Sequence, residues 1–308
     1  MMTELPLDQV RTLLAVVDEG TFDAAAAVLH VTPSAVSQRV KALEQRTGSV
    51  LVTRTKPVLP TGPGEVVVRF ARRLARLERD ARAELGMSGP EETTRLPIAV
   101  NSDSLATWFL PALARVPAEL RLCYELRRED QDHTAALLRD GRVMAAVTSS
   151  PEAVTGCSVR RLGRMRYLPV ASPSFAARWP TDRPGGPPGD ALADAPVIVF
   201  DRHDDLQDAF VRTLAPGRRG AGAARHFVPT SEGFVDAVAA GMGWGMVPEE
   251  QAAPLLRAGR LVALVPGRTT DVPLFWQQWR LESPGLTAVA DAVAAAAAGA
   301  LAPGPPDG

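Results

Sequence analysis

Val31-Thr32-Pro33-Ser34-Ala35-Val36-Ser37-Gln38-Arg39-Val40-Lys41-Ala42-Leu43-Glu44 decides how this chain reads. Thr32 offers a hydroxyl N-cap, and Pro33 suits the first helical position, where no N–H is needed. Val36, Val40 and Leu43 recur at helical spacing and mark a face to be buried. Ser34, Ser37, Gln38 and Lys41 share the opposite face, with Arg39 at its edge. Hydroxyls and amides near a helix N-terminus can meet base edges, while Lys and Arg meet phosphates. The stretch predicts a helix that enters a DNA major groove.

Upstream, Leu7, Val10, Leu13, Leu14 and Val17 lie on one helical face that Gly20 closes, and a short second helix is expected from Phe22 to Leu29. Its small core, Ala24 to Ala27, lets another helix approach closely. Two short helices joined by a tight turn, the second with a polar face, describe a helix-turn-helix. A plain three-helix bundle is the bland alternative, and the polar face of the third helix argues against it. Downstream of Gly48, Val50-Leu51-Val52 and then Arg54, Lys56 and Pro57 predict a small hairpin, or wing, with Arg54 aimed at phosphate or the minor groove.

From Glu65 to Leu85 the pattern is helical again. Val67, Phe70, Leu74, Leu77 and Ala81 alternate steps of three and four, a coiled-coil-like seam. Arg69, Arg72, Arg73, Arg76, Arg79 and Arg82 crowd the other faces. A dimer seam is favoured over a helix packed only on its own domain, because a DNA-reading module gains from paired half-sites. Gly86-Met87-Ser88-Gly89-Pro90 reads as a hinge.

After Leu96 short apolar strands alternate with helices, the pattern of α/β sheets. Strands are expected at 96–100, 122–126, 144–148, 167–171, 197–200, 226–228, 244–247, 261–265 and 274–279, with helices such as Leu105 to Ala114 and Glu232 to Ala240 between them. Pro180 to Pro188 reads as a surface loop. In such sheets ligands gather at strand carboxyl ends and the following helix N-termini. Three such ends are rich in hydroxyls: Asn101-Ser102-Asp103-Ser104, Thr148-Ser149-Ser150 and Thr230-Ser231-Glu232. Each alone could be a helix cap; together they suggest a cleft for a small polar ligand. The nearby acids Asp103, Glu125, Asp132, Asp201, Asp204 and Glu232 would select a cationic group. Trp108, Phe109 and Trp276 could wall an aliphatic cationic chain, although core packing is the commoner role of a Trp.

Composition bounds the rest. The 308 residues allow two or three domains, and the net charge of -1 means that any basic surface must be local. Cys123 and Cys157 form no CxxC pair and read as reduced thiols. No apolar run reaches a membrane span, and Met1-Met2-Thr3-Glu4 lacks signal-peptide features, so a cytoplasmic chain without a membrane partner is expected. Gly241-Met242-Gly243-Trp244-Gly245 lacks dinucleotide-binding spacing. Asp201-Arg202-His203-Asp204-Asp205 holds a single His beside an Arg, so a loop or cap is favoured over a metal. With no GxSxG elbow, an enzyme ranks well below a regulator.

The run Gly20-Thr21-Phe22, Ala25-Ala26, Leu29 and Val31 through Glu44 resembles the winged helix-turn-helix of LysR-type transcriptional regulators. Val52 stands where the family often places an aromatic, and Pro60-Thr61 replaces the usual Leu-Thr. The segments Asn101 to Leu113, Phe200 to Phe210 and Ser231 to Val235 are similar to the ArgP/LysG branch, regulators of basic-amino-acid export. The resemblance implies a winged helix-turn-helix over 1–64 (helix-turn-helix 21–40) and a linker and dimerisation helix with hinge over 65–90. It further implies a periplasmic-binding-protein-like α/β effector domain over 91–301. Its subdomain I is expected at about 95–168 and 269–301, subdomain II at about 169–268, with a disordered tail at 302–308. DNA contacts are assigned to Thr32, Pro33, Ser34, Ser37, Gln38, Arg39, Lys41 and Arg54. Effector contacts are assigned to Asn101, Ser102, Asp103, Trp108, Asp132, Thr148, Asp201, Ser231 and Glu232. The expected effector is L-lysine or L-arginine, with no cofactor and no metal. Promoter DNA and further copies of the chain, as a dimer through the linker helix and then a tetramer, are the expected partners. RNA polymerase is admitted as a further one. The competing reading is a small-molecule-binding or enzymatic α/β protein whose N-terminal helices only dimerise it.

Overall fold

A computed structural model describes residues 4–84, 93–128, 131–181, 188–281 and 283–303. The expected hinge, most of the Pro/Gly-rich loop and the last five residues of the tail lie outside these. The chain divides into two compact units.

The first unit holds Met1–Pro97, Arg121–Cys123 and Ala135–Met144. Its helices are α1 (Leu7–Glu19), α2 (Phe22–Val28), α3 (Pro33–Thr47) and α4 (Gly62–Glu84). The expected cap at Thr32 is present, its Oγ1 accepting from Ala35 N, and Thr21 caps α2 in the same way, its Oγ1 accepting from Ala24 N. Gly20 and Gly48 end their helices in the left-handed region, with φ of 72° and 66°, where a Cβ is strained. Val10, Leu13 and Val16 of α1 pack with Ala25, Ala26, Val36, Val40 and Leu43, and Leu51, Val52 and Val58 close this core from below. The wing is minimal: Val52 bridges Pro60, and Thr53 N donates to Leu59 O.

α4 begins at Gly62 rather than at the expected Glu65. Thr61 caps it, with Oγ1 accepting from Gly64 N and the carbonyl from Glu65 N. This start forces a close approach. A Cβ on Gly64 would lie 1.8 Å from Leu51 O and 2.8 Å from Leu51 C, both backbone atoms that cannot rotate away. Gly64→Ala should therefore lever α4 off the wing and cost about 3 kcal/mol, at the upper end of overpacking. A urea transition of this module at wild-type midpoint would refute that.

The expected apolar seam loses Val67 to the module's own core but keeps Phe70 and Leu77 on the outside, joined there by Val66. Val67, Val68 and Ala71 are buried in the core of their own module, whereas Val66, Phe70 and Leu77 are 55%, 41% and 51% exposed. Two apolar stripes overlap on α4, and the one containing Val67 is consumed internally.

The second unit holds Ile98–Leu120, Tyr124–Thr134 and Ala145–Gly308. In chain order the elements after α4, some of them shared with the first unit, are β1 (Thr94–Val100), α5 (Ser102–Ser104), a π-helical turn (Leu105–Phe109), α6 (Leu110–Leu113), β2 (Leu122–Arg128), α7 (Gln131–Arg139), β3 (Ala145–Thr148) and β4 (Cys157–Ala171). It continues through α8 (Pro173–Arg178), α9 (Pro188–Asp194), β5 (Val197–Val199), α10 (Leu206–Leu214), β6 (Arg225–Phe227), α11 (Ser231–Ala239), β7 (Gly245–Pro248), α12 (Glu249–Arg257), β8 (Val262–Ala263), β9 (Thr270–Trp279) and α13 (Pro284–Ala300). The main sheet has the order β2-β1-β3-β9-β4-β7, with β8 also on β4, and β5 pairs β6 in parallel. β1 and β3 are parallel, and β9 runs antiparallel between β3 and β4. β4 starts ten residues before the expected Tyr167 and bulges between Arg161 and Gly163. Its long pairing with β9 makes one continuous ribbon through the sheet. Among the described residues no helix is long and apolar enough to cross a membrane.

Candidate functional site

The outer face of α3 is presented to solvent. Thr32, Pro33, Ser34, Gln38 and Lys41 are exposed, and Ser37 and Arg39 half-buried at its margin. Arg39 reaches Asp8 only at 4.0 Å across open solvent, a contact too weak to withhold its guanidinium. Arg54 is exposed in the wing. Meanwhile Val36, Val40 and Leu43 are at most 1% exposed. The helix is thus anchored by one side and leaves its hydroxyl, amide and cationic groups on the other, as direct readout requires.

In the second unit, β1 delivers Asn101, Ser102 and Asp103 to the start of the helix that runs through the π turn to Leu113. The N-termini of this helix and of α11 meet. Ser231 N donates to Ser102 Oγ at 3.3 Å, and Ser231 Oγ donates to Asp103 Oδ1 at 2.7 Å. Ser231 Oγ also lies 3.1 Å from Gln251 Oε1. Tyr167, on β4, donates its hydroxyl to Asp103 Oδ2 at 2.6 Å. Neither Asn101 nor Thr230, the two N-cap residues, makes a side-chain cap hydrogen bond. Neither N-cap side chain therefore takes up its helix's first-turn amides, although Ser102 Oγ takes Ser231 N from across the site.

The electrostatics are lopsided. Burial pushes the Asp103 carboxyl above its ordinary range; the bonds from Tyr167 and Ser231 pull it back, and Asp204 and Glu232 push it further up. Burial also raises Asp204, against bonds from Phe200 N, Leu206 N and the Gln207 side chain. Tyr167 is held well above a normal phenol by burial and by Asp103. The charges acting on Asp103 are all negative, and Asn101 Oδ1 and Gln207 Oε1 are buried acceptors with no hydrogen-bond partner. An acceptor-rich, negatively charged cluster between helix N-termini suits a zwitterion with an additional cation.

The other expected effector residues fall differently. Thr148 is buried and turns its hydroxyl onto Ser150 N, closing its own turn. Asp201 accepts from His203 N and Asp204 N and staples its loop. Glu232 is exposed and acts on Asp103 by charge. Trp108 is 4% exposed and packs edge-on against Phe109, which in turn lies beside Trp276, so these rings are core. The side chain of Asp132 lies outside the described residues. No group of metal-ligating side chains occurs among the described residues. Sequence reasoning did not single out Tyr167 or Gln251: a strand tyrosine and a helix glutamine carry no local signal, and both arrive through long-range packing.

Residues 7–65 match the model of the bacterial regulatory helix-turn-helix proteins of the lysR family, and residues 89–298 match the LysR substrate binding domain. The chain is 48% identical over 291 residues to the HTH-type transcriptional regulator LysG of Mycobacterium bovis, covering 94% of this chain and 93% of that one. It is 43% identical over 297 residues to the lysine export transcriptional regulatory protein LysG of Corynebacterium glutamicum, covering 96% and 99%. The structure of ArgP from Mycobacterium tuberculosis superimposes with a TM-score of 0.86 at 47% identity, covering 96% of this chain and 98% of that one. Full-length LysG from C. glutamicum with bound effector Arg gives 0.80 at 42% identity, covering 97% and 100%. With relatives that are transcriptional regulators and an exposed reading helix, the enzymatic alternative falls, and the chain belongs to the LysR family of DNA-binding transcriptional regulators.

Proposed function

We propose that this regulator senses L-lysine or L-arginine and controls a gene for basic-amino-acid export. The observation that carries the reading is Asp103, a desolvated carboxylate beside further negative charge, at two helix N-termini whose own N-cap side chains make no cap bond. The α-carboxylate of the effector takes the helix amides; its cationic groups take Asp103 and the unpartnered Asn101 Oδ1. The relative with bound Arg supports the ligand class. Ser102 and Ser231 stand in the same cluster and offer the ligand further polar contacts, while Glu232 adds long-range attraction.

Paired chains, joined through the Val66, Phe70 and Leu77 stripe of α4 and assembled into tetramers, place two reading helices on promoter DNA in the cytoplasm, where RNA polymerase is the natural recipient of the signal. Thr32 to Lys41 and Arg54 supply the contacts. Effector binding acts only through its different affinity for two arrangements of the effector subdomains. Calorimetric titration with the twenty amino acids tests the effector: lysine and arginine should bind, and Glu232→Ala should weaken them by less than about tenfold, as for a charge that acts through solvent. Tighter binding of a neutral or acidic amino acid would remove the reading.

A further inference from the structure

Besides its core face and its exposed apolar stripe, α4 has a third face, formed by Arg69, Arg72 and Arg76. All three reach backbone carbonyls. Arg69 Nη1 donates to Arg139 O at 3.3 Å, Arg72 Nη1 to Asp140 O at 2.7 Å and Arg76 Nη1 to Arg95 O at 3.4 Å. Arg76 is 2% exposed. Arg139 and Asp140 end α7, where helix carbonyls lack internal donors and carry partial negative charge. Arg72 does more than cap: its Nη2 donates to Asp18 Oδ1 on α1 at 2.7 Å. One guanidinium fork therefore holds the DNA-reading module and the end of α7 together, as a lysine's single ammonium could not do with the same geometry.

The gripped backbone leads to the effector site. Arg95 lies on β1, which runs on into Asn101, Ser102 and Asp103. Asp140 leads through Met144 into β3 and Thr148, and Met144 N donates to Pro97 O at 2.8 Å, joining the two paths. The Asp18 arm is half exposed, so it can break without unfolding either side, the kind of two-state contact that coupling needs.

We propose that Arg72 is a positioning residue that couples the effector-site strands to the DNA-reading module, through the Asp18–Arg72–Asp140 bridge. The coupling rests on the proposed effector site, but the bridge has a readout without effector. Full-length wild type, R72A, R72K and D18N are compared on a duplex carrying the region upstream of the chain's own gene. Footprint span and DNA bend are measured without effector, then with L-arginine or L-lysine, and calorimetry reports effector affinity. R72A and D18N should alter the effector-free footprint or bend. They should also cut the effector-induced change in DNA affinity at least about fivefold, the lower end of typical couplings, with effector affinity unchanged within about twofold. R72K should behave as R72A. Wild-type footprint, bend and response in both R72A and D18N overturn the proposal. D18N keeps Arg72 and its backbone bonds, so it decides alone if R72A fails to fold. Should neither amino acid move the wild type, the proposed effector falls, and the bridge stands or falls on the effector-free footprint.

Discussion

Asp103→Asn should abolish the response to a cationic effector and yet leave the protein melting at or above the wild-type temperature at pH 7. The affinity loss follows from removing one partner of a desolvated ion pair, about 3 kcal/mol or roughly two orders of magnitude in Kd. The stability follows from the hydrogen bonds. An amide oxygen can still accept from Tyr167, and an amide nitrogen can donate to Ser231 Oγ. That frees the Ser231 hydrogen for Gln251 Oε1, 3.1 Å away. The sign of the charge contribution is fixed by the direction of the Asp103 shift. Its folded pKa is raised by burial above the unfolded one, so the folded state binds a proton that the unfolded state has released. The penalty of the buried charge is absent below the unfolded pKa and fully present above the folded one, so stability falls as pH rises through this window. The amide removes that penalty, and any gain in Tm over wild type should disappear in acid. Effector affinity in the wild type should run the other way. It should weaken as pH falls through the raised pKa of Asp103, at a higher pH than an exposed aspartate would titrate. Calorimetry in buffers of different ionisation enthalpy should register proton release on binding near that pH. A variant that melts well below wild type, or still binds arginine as tightly, removes Asp103 from its role.

The division between what local sequence declares and what it hides is sharp in this chain. Thr32, Gly20 and Gly48 act on their immediate neighbours, so their caps were readable from spacing alone. Asp103 was readable for the same reason: it follows a strand and opens a helix. Tyr167 was not, because its partnership with Asp103 spans 64 positions and exists only once β4 crosses the sheet. Arg160, Arg161, Arg164 and Arg166 break the apolar alternation of β4, so only its end looked like a strand. Its remaining residues are held by β9 across the register Cys157–Trp279 to Tyr167–Thr270. On α4 two apolar stripes satisfy the same periodicity, and no local rule says that Val67 belongs to the module's own core while Val66 does not. The arginines on that helix read as a generic basic surface. Only the folded backbone turns three of them into a grip on the ends of other elements.

On DNA, Gln38→Ala should relax base preference, and Lys41→Ala should not. Gln38 is exposed on α3, beyond the N-terminal turn set by Thr32 and Pro33, and its amide can pair with a base edge in two places at once. Its loss should cost about 1–3 kcal/mol on the preferred operator and little on unrelated DNA, so the ratio between the two collapses. Ser34→Ala, nearer the helix start, should act in the same direction with a smaller effect, since a hydroxyl makes a single and less selective bond. Lys41 carries charge without a planar pairing edge, and Arg54 lies in the wing, off the reading helix, where its guanidinium is expected to meet phosphate. Removing either should weaken every sequence alike and lower the slope of log affinity against log salt by about 1. None of these side chains packs in the module's core, which rests on Val36, Val40 and Leu43, so the folded state is the same in all four variants. Competition gel shifts at several salt concentrations separate the two classes. A Gln38 variant that lost affinity equally for operator and random duplex would mean that α3 grips phosphates rather than reads bases. The recognition surface would then have to be sought in the wing.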